Sequence, residues 1–191
     1  MLEDELEVRA LQARLVFESS KKRPIDDFAD ELRILWQKKS GSFTFMRFRF
    51  TTLSAWFELK NEVDNLVSLT KETLEFYRNC GVELPPGAMQ AIFLKTTPIM
   101  AKAGRFAEAE ANISKALEGA RLGTHNWHLF MLQKACLGYQ SGKPGMVRAA
   151  LKMAEEAPKE HANSDIDRRW GIVKSLVAGL QGKDVWREVL G

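Results

Sequence analysis

Apolar residues recur along this chain at three- and four-residue steps, the spacing that gathers side chains on one face of an α-helix. Residues 2–19 carry Leu6, Val8, Leu11, Leu15 and Val16 at near-helical spacing. Glu and Asp crowd the first turn, where they favour the helix dipole, and Lys21, Lys22 and Arg23 close the segment. Pro24 then stands where a first-turn proline fits, and Ile25, Phe28, Leu32, Leu35 and Trp36 share a face up to about residue 39. Ser40, Gly41 and Ser42 break the pattern.

The stretch FTFMRFRF at 43–50 reads in two ways. Its partial alternation suits a strand. As a helix running to about residue 59 it has two apolar faces, one of Phe43, Met46, Phe50, Leu53 and Phe57, the other of Phe45, Phe48, Thr52 and Trp56. The helix is the reading carried forward, because a helix packed from both sides is what a helical array requires. Further helices are expected at 61–79, 88–103 with Pro98 inside, 106–119, from a cap at Thr124 or Asn126 to about 140, 146–157, 165–180 and, briefly, from Asp184. Pro98 removes one backbone hydrogen bond and is expected to bend its helix. The fold class predicted is all-α.

Tight breaks between helices fall at Asn61, Gly104, Gly142 and Gly182, at intervals of 43, 38 and 40 residues. A recurrence in this range marks stacked helical units, since one helix pair cannot bury its own apolar faces. The clearest unit is 88–120. Phe93 stands early in the first helix, Thr97 at its middle and Met100 before the turn; Gly104, Phe106, Ala109, Ile113 and Ala116 follow. This unit resembles a tetratricopeptide repeat. The register extends to 47–76 through Phe50, Leu53, Ser54, Phe57, Asn61, Val63, Leu66 and Thr70. It extends to 128–157 through Met131, Ala135, Gly142, Val147, Leu151 and Ala154, with Lys134 and Pro144 departing from the pattern. The string GTHNWHLF at 123–130 is also similar to a feature of divergent bacterial proteins of that kind.

The resemblance implies an α-solenoid of antiparallel helix pairs in a right-handed superhelix. A single domain over 1–191 would hold pairs at roughly 2–39, 43–79, 88–120, 125–157 and 165–191. It implies a non-enzymatic scaffold that binds a protein or peptide on its concave face, where the first helices of successive pairs lie. The partner-binding residues placed there are Phe48, Thr51, Glu58, Leu94, Lys102, Leu129, Leu132 and Tyr139, with Ala55, Ala91, Pro98 and Cys136 between them. That groove is mostly apolar, which suits an amphipathic helix. The alternative reading of the same residues is internal packing against a neighbouring helix. The alternative function is a regulatory helical domain of a transcription or signalling protein.

Composition narrows the chemistry. The 191 residues are 45% hydrophobic and 28% charged, ordinary for a globular chain. The net charge is +3, from −1 over residues 1–100 and +4 over 101–191, which falls short of a nucleic-acid footprint. No apolar run is long enough to span a membrane, and the acidic start is the wrong sign for a secretory signal. Cys80 and Cys136 form no CxxC pair, so free thiols in a reducing cytoplasm are expected. His125 and His128 stand three apart with no third ligand nearby, and neither a metal nor a cofactor is expected. Trp127 is read as a core anchor or helix-start staple, with a ligand platform as the alternative, and Cys136 has no histidine partner in sequence. Arg47 and Arg49 are read as snorkelling from a packed helix, meeting a carboxylate on one of the first two helices, or meeting an acidic group of a partner. Glu155–Glu156 and Asp165–Asp167 read as solvated caps, and GKPG at 142–145 is too short for a phosphate loop. Arg168, Arg169, Lys174, Lys183 and Arg187 form a loose basic end. The last pair is cut short after Gly182, so the chain is expected to be a piece of a longer protein or to dimerise through that end.

Overall fold

The structure is a computed structural model that describes residues 43–80, 86–158, 164–178 and 185–190, together with residue 10. The regular structure among these residues is entirely helical. The helices are α1 (Phe43–Lys60), α2 (Val63–Asn79), α3 (Pro86–Lys102), α4 (Phe106–Glu118), α5 (His125–Gln140), α6 (Pro144–Glu156), α7 (Ser164–Val177) and α8 (Val185–Leu190). The ambiguous 43–50 stretch is therefore helical. The pair expected at 2–39 lies, apart from residue 10, outside the described residues, as do Gly182, Lys183 and His161. The chain divides into two compact units, Met1–Glu83 and Leu84–Gly191.

In the first unit α1 and α2 form a hairpin. Asn61 takes φ 57°, and the Glu62 N–H donates to Phe57 O at 2.8 Å while the Asn61 N–H donates to Glu58 O at 3.1 Å. This pairing of a left-handed residue with a bond reaching back five residues is the Schellman stop, which satisfies carbonyls that the helix end leaves open. Arg49 clamps Glu72 across the hairpin through two parallel bonds of 2.7 and 2.8 Å. Arg49 does meet a carboxylate, but on α2. Buried Thr70 and Thr73 return their hydroxyls to Leu66 O and Leu69 O one turn back, so neither is left unpaired in the apolar interior.

The second unit repeats the same stop twice. Gly104 at φ 77° and Gly142 at φ 68° sit at the turns. The Arg105 N–H reaches Met100 O at 2.9 Å and the Lys143 N–H reaches Gly138 O at 2.7 Å. Each turn folds a helix back on its predecessor, giving α3 on α4 and α5 on α6. Thr124 caps α5, its hydroxyl accepting from the Trp127 N–H at 3.3 Å.

The tertiary arrangement corrects the solenoid expectation and the tetratricopeptide resemblance that carried it. Helix α5 packs against α3, α4, α6, α7 and also α8, while α3 packs on α5 as well as on its hairpin partner α4. These non-sequential contacts belong to a globular helical bundle, whereas in a regular stack each pair meets its neighbours in series. The physical reason lies in the composition of α5. Trp127, Phe130, Met131, Leu132, Ala135, Cys136 and Leu137 are all buried, and these positions run around the whole circumference of the helix. Such a helix has no face to leave open to a groove and needs cover on every side. Part of that cover is α8, whose Val185, Trp186 and Val189 are buried. Arg169 holds its end, donating through Nη1 to Val189 O at 2.9 Å.

Candidate functional site

The α5–α6 turn borders a depression in the second unit. Gly138 lets the two helices approach: a Cβ there would stand 2.9 Å from Met146 Cβ. After the Gly142 turn, Pro144 opens α6, where a missing N–H costs nothing. Helix α6 then buries only the stripe Val147, Ala150 and Ala154. An ion pair between Lys174 and Glu155, 2.9 Å, links α6 to α7. Near the turn, the start of α6 and the end of α7 leave a cleft of about 250 Å³.

Val147, Leu176 and Val177 give the cleft an apolar floor, and the backbone of Gly138 and Gly142 gives it a low wall. Val177 is 41% exposed, while Val147 and Leu176 are buried. Two polar groups stand at the rim, the half-buried Tyr139 and the exposed Arg148. The cations nearby in sequence are engaged, Lys143 with Glu110 at 3.4 Å and Lys152 with Glu156 at 3.8 Å. Arg148 has no ion pair among the described residues. The arrangement can accept a bulky apolar group with an acceptor beside it. Its volume is below the roughly 300–1,000 Å³ of small-molecule sites, so it is scaled to a side chain more than to a cofactor.

A second polar feature lies inside the bundle. Asn126, Gln133 and Gln140 stand seven residues apart on α5 and so share a face. Asn126 donates to Gln90 Oε1 at 2.7 Å, Gln133 to Leu94 O at 2.9 Å and Gln140 to Ala101 O at 3.1 Å. The offsets of 36, 39 and 39 residues mean that α3 and α5 run parallel. The middle bond has a definite cause. Leu94 O would ordinarily accept from the N–H of residue 98, but that residue is Pro98, which has none. The Gln133 amide supplies the missing donor. Gln133 Oε1 and Thr97 Oγ1 are buried with no hydrogen-bond partner among the described residues, so it is the donor half of the amide that is used. Gln140 also accepts from Trp186 Nε1, tying α8 to the same seam. The seven-residue spacing of these amides is the one signal of the seam that the sequence carries.

The predicted partner-binding residues belong to both units. Thr51 and Glu58 are exposed on α1 in the first unit, Thr51 returning its hydroxyl to Arg47 O at 2.9 Å. Phe48 is on α1, but its side chain is outside the described set. In the second unit, Leu94 is half-buried on α3 and Lys102 is exposed at its end. On α5, Leu129 is half-buried, Leu132 is fully buried and Tyr139 lines the cleft. Cys136, placed beside them, is fully buried with Sγ 3.8 Å from Val185 O. No partner reaches Leu132 or Cys136 while the bundle is closed.

Other candidates resolve into structure. His128 is buried, its Nδ1 accepting from Trp170 Nε1 at 3.3 Å, and Trp127 lies edge-on to it with ring centres 5.0 Å apart. Trp127 is thus a core residue, and His125 stays exposed. No group of three or more potential metal ligands occurs among the described residues. Asp165 pairs with Arg169 at 2.6 Å and Arg168 at 2.9 Å, which engages part of the basic end. The hydrogen bonds from Arg169 and then Arg168 hold the Asp165 carboxyl below its usual range. Burial pushes the Tyr77 phenol up, partly offset by the charge of Arg47. Both cysteines are free thiols. No helix among the described residues is long and apolar enough to cross a membrane.

No protein-family model matches the chain, and neither the search of curated proteins nor that of solved structures returns a match.

Proposed function

We propose that this chain is a non-enzymatic helical module that binds a partner protein or peptide, and that the contact runs through the cleft between the α5–α6 turn and the end of α7. The observation that carries this reading is a cleft of about 250 Å³ in which exposed Val177 stands beside the buried side chains of Val147 and Leu176. Elsewhere the large apolar residues exposed among the described set, such as Leu122 and Met153, are single side chains of the ordinary surface kind. A partner side chain entering the cleft would cover an apolar floor already held by two packed helices, so little ordering cost opposes binding. Two free thiols, one exposed and one buried, fit a reducing compartment such as the cytoplasm.

The test uses the intact chain as bait against a random-peptide display library. Peptides that enrich should lose binding to Val177→Trp, which fills the cleft from its exposed edge. They should keep binding to Met153→Trp, an exposed position outside the cleft lining. Enriched peptides that bind Val177→Trp as well as the parent would overturn the assignment.

A further inference from the structure

We infer that the occupant of this cleft is an acidic peptide segment, one that places a bulky apolar side chain on the floor and a carboxylate against Arg148. The inference rests on the reading of the cleft as a binding site and adds the chemistry of its ligand. Three observations carry it.

The first is Arg148 itself. Lys143, Lys152 and Lys174 each have a carboxylate within 4 Å, while Arg148, at the cleft rim, pairs with none among the described residues. A guanidinium presents its donors in a planar fork that matches a carboxylate through two bonds, so an unengaged one beside an apolar floor favours that group. The second is long-range charge. The second unit carries 15 Lys and Arg against 10 Asp and Glu, a net +5, while the first carries 13 against 15, a net −2. A positive unit draws acidic segments to itself and discriminates against basic ones. The third is the half-buried Tyr139 on the same rim, whose hydroxyl is available to donate to the second oxygen or to a backbone carbonyl of the peptide. The cleft is short and open, so the match is to one anchor residue and an adjacent acid.

The experiment measures an enriched library peptide by fluorescence anisotropy against the intact chain, Arg148→Glu, Arg148→Lys and Val177→Trp, each confirmed folded by its thermal melt. Enriched sequences are expected to pair Leu, Ile or Phe with a neighbouring Asp or Glu. Arg148→Glu should weaken binding by about tenfold or more, the scale of one hydrogen bond to a charged group. Arg148→Lys should fall between, because it keeps the charge and loses the fork. A peptide with its acid changed to Lys should bind Arg148→Glu better than the parent chain. Affinity unchanged within twofold in Arg148→Glu overturns the acidic-ligand inference; if Val177→Trp still abolishes binding, the cleft assignment stands without it. Indifference to both substitutions, or no enrichment at all, removes both. Binding of duplex DNA or anionic vesicles with the same dependence on Arg148, in place of the peptide, would show that the guanidinium serves general anion contact and would also overturn the inference.

Discussion

Helices α5 and α6 are neighbours joined by one glycine turn, yet they relate to the molecule in opposite ways. Helix α6 buries three residues, Val147, Ala150 and Ala154, at the three- and four-residue steps of an edge helix. Helix α5 buries ten, including His128 and Gln133, and leaves no clean polar stripe. An edge helix announces its orientation through periodicity, because water must face one side. A central helix loses that signal, and its polar residues turn inward as ties: His128 to Trp170, Gln133 to the carbonyl that Pro98 leaves unpaired. The bundle is centred where the amphipathic pattern disappears.

The largest expected break in this comparison is a cavity. Phe130→Ala in α5 should cost about 3–5 kcal/mol by chemical denaturation, since Phe130 is fully buried. Met153→Ala on the exposed side of α6 should stay within about 0.5 kcal/mol. Equal losses would mean that α5 is not the centre.

The internal tie comes next. Gln133→Met keeps the shape and removes the donor to Leu94 O, and should cost about 1–3 kcal/mol. In a Pro98→Ala background the helix recovers its own N–H to that carbonyl, so the same change should cost less. The coupling in the double-mutant cycle is then on the order of 1 kcal/mol. An additive cycle would show that the amide does not stand in for the proline's missing bond.

A smaller contrast belongs to the turn that joins the two helices. Gly142→Ala forces φ 68° on a side chain with open space around it, and should cost about 1 kcal/mol from the backbone alone. Gly145→Ala, at the second residue of α6 and equally open, should stabilise by about 0.4–1 kcal/mol. Thermal melts showing the two changes with the same sign would contradict the assignment of the turn.

The smallest effect is one of pH. The Asp165 carboxyl is depressed in the folded state by its bonds from Arg169 and Arg168. Its contribution is present above its unfolded value, about 4, and is lost as pH falls through the lower folded value. The melting temperature of the parent chain should fall slightly more steeply below pH 4 than that of Asp165→Asn, and parallel curves would show the pairing to be idle.

Helix existence and turns were legible because both are local. The stops at Asn61, Gly104 and Gly142 need a residue that tolerates positive φ, and the sequence displays such residues there. The stripes of α4 and α6 were legible as well: Ala109, Ile113 and Ala116 are buried, as are Val147, Ala150 and Ala154. Of the candidate site, Tyr139 is among the residues the sequence suggests for partner binding, while Val147, Arg148, Leu176 and Val177 are not suggested as a site. Those four come from two helices that meet only in the folded chain, so no spacing along the sequence brings them together.

The chain by itself determined that it is helical, where most of the described helices begin and end, and that several neighbours fold back as hairpins, since propensity, caps and left-handed turns act over a few residues. It did not determine how the hairpins pack. Equal turn intervals fix only the length of each hairpin, not its rotation against the next, and that rotation is settled by which arrangement covers an apolar helix from every side. Only the tertiary structure showed α8 returning onto α5 and the cleft at the α5–α6 turn.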